Sequence, residues 1–172
     1  MIVRDLERLL VEHGAGAAKI DAVTRRLREI GRLPKGGRGP NAPTIGKIES
    51  AAILLGLAGS TKGAEADTRL AKLEGLRCAS AKQSVLIDTL AALLEDAHAI
   101  SQLREVRVGR TTRRADVIWA NGQIDEYRVE GARPKHDRFY VEGILPAKLL
   151  QLIAGALSQG TSPQKRSGAT RS

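Results

Sequence analysis

KIDAVTRRLREIGRLPKGGRGPN, residues 19–41, is the stretch whose reading decides the fold. Ile20, Val23, Leu27 and Ile30 recur at three- and four-residue steps, so they line one face of an amphipathic helix. Arg25 points away from that face, and Asp21, Arg28, Glu29 and Arg32 share its outward side. Gly31 is placed to end the helix in the left-handed region, and Pro34 prevents its resumption. Beyond it, Lys35 and Arg38 stand among Gly36, Gly37, Gly39 and Pro40. Seven Lys or Arg face two acids between Lys19 and Arg38, a balance suited to contact with phosphates.

Working outward, Val3 to Glu12 reads as a helix with Leu6, Leu9 and Leu10 inward, closed by the turn Gly14-Ala15-Gly16. After the basic loop, Thr44 can cap a helix that carries Ile48, Ala51, Ala52 and Leu55 and ends near Gly59. A shorter helix over Ala64 to Glu74 uses Leu70 and Leu73. Ser80 or Ser84 begins a longer one, where Leu86, Leu90, Leu93, Leu94 and Ala97 form a stripe of about three turns. No internal repeat is evident.

The aromatic residues divide the chain unevenly, since Trp119, Tyr127, Phe139 and Tyr140 are the only four. The preceding residues must build their core from Leu, Ile, Val and Ala, which favours closely packed helices. Further on, Val106 and Val108 alternate with Glu105 and Arg107, and Ala115, Val117 and Trp119 repeat at period two, as in half-buried strands. Asn121-Gly122 predicts a two-residue hairpin turn that returns through Ile124, Tyr127 and Val129. A further strand is expected over Arg138 to Glu142, with Phe139 and Val141 on one side. Pro146 opens a last helix with Leu149, Leu150, Ile153 and Leu157 as its apolar stripe.

A formal net charge of +9 and a pI near 10.2 argue for a polyanionic partner. Cys78 is the only cysteine, so no intramolecular disulfide forms and a reducing, cytoplasmic setting is expected. Charge in every turn of the first residues excludes a signal peptide's apolar core, and no run long enough to span a bilayer occurs. The chain is therefore expected to be α+β. Residues 1–60 form a helix-turn-helix-like region, 61–102 a helical connector, and 103–157 a small antiparallel sheet plus helix. Residues 158–172 carry no large apolar side chain and read as a disordered basic tail.

In a helix-turn-helix the second helix enters the major groove, and Arg is the side chain that forks onto guanine. The segment GRLPKGGRGPNAPTI and the apolar helix after it resemble winged helix-turn-helix proteins of the MerR and excisionase type, over about residues 17–57. That resemblance implies that Lys35 and Arg38 reach phosphates or the minor groove from a wing, although Pro40 and Pro43 leave little room for a regular two-stranded one. Arg25 and Arg28 are expected to carry base preference, and Lys19, Arg26, Arg32, Lys35 and Arg38 to set affinity. The expected partner is double-stranded DNA, bound without catalysis, cofactor or metal by a homo-oligomeric transcriptional regulator. A phage-type small-terminase-like DNA-recognition subunit, a metal-dependent nuclease using the Asp116/Asp125 hairpin, and a basic RNA- or protein-binding module are the alternatives.

Enzymatic signals are weaker. Gly56 to Gly63 lacks the Gly-Lys-Ser/Thr ending of a phosphate-binding loop, because Thr61 precedes Lys62 and Gly63 follows it. His13, His98, His136 and Cys78 show no metal-ligand spacing. A metal-dependent nuclease would need clustered carboxylates. The two-residue turn sets Asp116 opposite Tyr127, so that only Asp116 and Asp125 converge, diagonally.

Overall fold

Two glycines at positive φ shape the start of the computed structural model, which describes residues 1–35, 42–81, 84–129 and 141–160. Helix α1 (Val3–Glu12) ends at Gly14 and α2 (Ala17–Glu29) at Gly31, with φ of 87° and 75°. In each, an amide beyond the glycine bonds back into the last turn: Ala15 N to Leu10 O at 3.0 Å, and Arg32 N to Leu27 O at 2.8 Å. This is the Schellman closure, which glycine accepts without a Cβ penalty.

Helix α3 (Lys47–Gly59) is apolar all round, and every residue from Ser50 to Gly59 is buried. Such a helix must be covered on all sides. Helix α2, α4 (Ala66–Leu73) and α5 (Leu86–Leu93) pack on it, as do strands β2 (Leu103–Gly109) and β5 (Glu142–Pro146). Two expectations are corrected here. Thr44 does not cap α3: it pairs with Ile2, and the cap is Gly46, whose N–H donates to the Glu49 carboxylate at 3.0 Å. Ile48 faces outward instead of joining the stripe.

The long helix expected after Ser80 or Ser84 is two helices, α5 and α6 (Ala97–Ser101). The break comes at Asp96, whose side chain accepts from the amides of His98 and Ala99, both at 2.9 Å, and so starts a new helix. Asp96→Ala is expected to cost about 1 kcal/mol. In a chain of this size that lowers the melting temperature by roughly 2–4 °C. Thermal unfolding followed by circular dichroism checks this, and an unchanged midpoint would deny the cap.

The sheet is antiparallel throughout, in the order β1-β4-β3-β2-β5, with β1 (Arg77–Cys78), β3 (Arg114–Trp119) and β4 (Ile124–Arg128) completing it. Val106, Val108, Ala115, Val117, Tyr127 and Leu145 are buried in the core. α3 and α7 (Ala147–Gly160) pack on β2 and β5. The Tyr127 hydroxyl donates to Thr89 Oγ1 on α5 at 2.9 Å, and burial pushes the phenol's pKa up.

The expected two-residue turn is also corrected. Only Gly122 has positive φ, Gly122 N bonds Trp119 O, and Asn121 Oδ1 accepts from Gln123 N. The loop therefore has three residues, a turn followed by a left-handed glycine. Pairing shifts by one residue, so Asp116 faces Glu126 and Ala115 faces Tyr127.

The chain is α+β, with helices leading and the sheet following. The three folded segments expected from sequence share one hydrophobic cluster that runs from Met1 to Ala154. Pro146 closes β5, and α7 continues through Ser158 to Gly160, where a tail was expected to have begun. The remaining tail and most of the expected Arg138–Glu142 strand lie outside the described residues. Among those described, no helix is long and apolar enough to cross a membrane.

Candidate nucleic-acid interface

Helix α2 lies between α1 on one side and α3, α4 and the short 3-10 turn Gly63–Glu65 on others. That packing follows from its stripe, since Ile20, Val23 and Leu27 are buried as the spacing predicts. It also brings acids from neighbouring helices to its arginines. Arg25 pairs with Asp21 one turn back, and at 67% side-chain exposure it is the most open of the set. Arg26 reaches Glu29 at 2.9 Å and Asp67 of α4 at 2.7 Å. The bond to Asp67, then that to Glu29, raises the Arg26 pKa above the ordinary arginine value; the same contact lowers Asp67's.

Arg28 stands 3.5 Å from Glu7 of α1, and Arg32 pairs with Glu74 just after α4 at 2.5 Å. Each outward arginine of α2 thus has an acidic partner within the fold. Exposed pairs of this kind contribute little to stability, but they offset the local charge. The face expected to read bases is electrostatically balanced.

Lys19 is placed elsewhere. Its Nζ donates to Leu57 O at 2.8 Å and Ser60 O at 2.6 Å, so it closes the C-terminal end of α3. Lys35 follows the other end of α2, beyond the Gly31 turn. It is exposed and has no ionic partner among the described residues. Leu33, two residues before it, is buried, as is Ile45, whose amide donates to Met1 O. The basic loop therefore starts and finishes on anchored chain. Arg38 itself lies outside the described residues.

The hairpin carboxylates do not form the expected pair. Asp116 and Asp125 lie on opposite faces, because the register sets Asp116 opposite Glu126. Asp125 accepts from Trp119 Nε1 at 2.6 Å on the other side. Asp116, 5% exposed, accepts a bifurcated bond from Arg114 Nε at 3.0 and 3.1 Å, with Arg114 Nη2 2.9 Å from its Oδ2, and Glu126 pairs with Arg128. Among the described residues no group of three His, Cys, Asp or Glu side chains is placed to hold a metal ion. The chain matches no family model, no curated protein and no solved structure.

Sequence reasoning found the arginines of α2, and that Arg26 lies near enough the buried stripe to pair with an acid on a neighbouring helix, but not which distant acids do the pairing: Glu7 of α1, Asp67 of α4 and Glu74 just after it. It also missed Arg110, whose Nε donates to Ala58 O at 3.0 Å across 52 residues of sequence. Neither has a local signal.

Proposed function

We propose that this chain binds double-stranded DNA without catalysis, as a regulator would, and that the loop from Lys35 through Arg38 makes its main phosphate contacts. The observation that carries the reading is the contrast between α2, where every outward arginine is paired, and Lys35, which has no ionic partner among the described residues. A polyanion gains most from charges that the fold has not already offset. Arg25 and Arg28 then orient the helix pair, and Arg25, the most open, is the one α2 side chain able to exchange its partner for DNA at low cost. Self-association belongs to the same proposal, because it would multiply weak contacts. A monomeric mass in light scattering at micromolar concentration would remove that part.

Fluorescence anisotropy with duplex DNA, single-stranded DNA and RNA between about 50 and 200 mM salt tests the reading. The double variant Lys35→Ala, Arg38→Ala is expected to reduce the slope of log affinity against log salt by about 1.8, two phosphate contacts' worth. Arg28→Ala should leave the slope nearly unchanged. An unchanged slope in the loop variant, or equal binding of all three nucleic acids, would replace duplex recognition with diffuse charge attraction.

A further inference from the structure

A cleft of about 540 Å³ opens between the α1–α2 turn, the end of α3, β5 and the first turn of α7. Its floor is apolar, with Leu10, Leu57 and Leu149 among its side chains. Its polar rim is cationic: Lys19, Arg110 and Lys148 line it, and no Asp or Glu does among the described residues. Lys19 and Arg110 have a structural task, because they hold the last carbonyls of α3, at Leu57, Ala58 and Ser60. That task leaves capacity unused. It takes two of the ammonium's three donors and one of the guanidinium's five. The Nη groups of Arg110, and the ammonium of Lys148, have no hydrogen-bonding or ionic partner among the described residues.

Two neighbouring cations with no carboxylate between them repel, which is visible at Lys19: burial, and then the charge of Arg110, hold its pKa below the usual lysine value. For Arg26, Arg28 and Arg32 the fold supplies an acid to each cation. Here it supplies none. We propose that the cleft binds a small organic anion, a carboxylate or phosphate head against Lys19, Arg110 and Lys148 with a short aliphatic body on Leu10, Leu57 and Leu149. The volume falls within the range of about 300–1,000 Å³ usual for small-molecule sites, and a mostly apolar wall with a few convergent polar groups is their usual make-up. Lys35 does not line this cleft and the proposal does not rest on the Lys35–Arg38 assignment, so either can fail without the other.

Isothermal titration of the full chain with octanoate, octyl phosphate and uncharged 1-octanol tests it. At least one of the two anions is expected to bind about tenfold more tightly than octanol, a difference of roughly 1.4 kcal/mol. Which anion it is separates a carboxylate ligand from a phosphate one. Lys148→Gln combined with Arg110→Gln should lose about tenfold in affinity. Because Arg110 also holds Ala58, Lys148→Gln alone serves if the double variant fails to fold. In the unsubstituted chain, saturating anion should move the Lys19 titration upward in NMR, since a bound negative charge favours the ammonium. Equal binding of octanol and the anions, no binding of either anion at millimolar concentration, or an unmoved Lys19 titration would overturn the proposal.

Discussion

Gly143→Val is expected to destabilise the chain by at least about 3 kcal/mol, because no rotamer or local shift relieves the overlap it creates. Gly143 sits in β5 where the C-terminal end of α3 crosses the sheet. A Cβ there would fall far inside contact distance of the carbonyl oxygen of Ala58 and stand 2.7 Å from that residue's carbonyl carbon and Cα. All three are backbone atoms, so the strand or the helix must move as a body. Neither is free to do so. Gly143 is paired to Val108 in β2, Arg110 N bonds Val141 O at 2.7 Å, and the Arg110 side chain ties Ala58 to the same corner. A loss of 3 kcal/mol lowers the melting temperature by roughly 6–12 °C in a chain of this length. Gly155 in α7 is the control, since a Cβ there meets nothing within 4 Å. Gly155→Ala should leave the midpoint level or raise it. A Gly143→Val midpoint within about 2 °C of the parent would mean that α3 does not press on β5.

Leu55→Ala is expected to cost about 2–5 kcal/mol, through lost transfer energy and the cavity left behind. Leu55 is fully buried in a helix enclosed on every side, so its surroundings have little freedom to collapse inward. Urea unfolding should show the midpoint fall with the slope kept, the mark of a stability change without a change in the state exposed. Ile124→Thr gives the contrast. That side chain is 52% exposed on β4, and the substitution should stay within about 0.5 kcal/mol. Equal losses in the two variants would remove the distinction between the enclosed helix and the open side of the sheet.

What the sequence disclosed was set by distance along the chain. The Ile20–Val23–Leu27 stripe, the Gly31 stop and the alternation through Val106 and Val117 are local patterns, and all are present in the fold. Ile30 is the member that strays, exposed at the helix end. The misplaced cap at Thr44 and the hairpin register are also local, but each turned on a competing bond: Ile2 takes Thr44 into a bridge, and Asn121 spends its side chain on Gln123 instead of adopting positive φ. The candidate interface was less legible for another reason. Whether an arginine is available depends on acids far away in sequence, as with Arg26 and Asp67 or Arg32 and Glu74, separated by 41 and 42 residues. The window from Lys19 to Arg38 holds seven cations and two acids, yet the fold gives Arg25, Arg26, Arg28 and Arg32 each an acidic partner.

The enclosure of α3 bears on how the chain can be divided. A fragment ending at Ser60 would keep the helix pair that carries the arginines but strip α3 of α4, α5, β2 and β5, baring an apolar rod to water. Such a piece would clump before it met any nucleic acid. The amino-terminal third is thus no excisable module: α3 stays covered only with the sheet at its back.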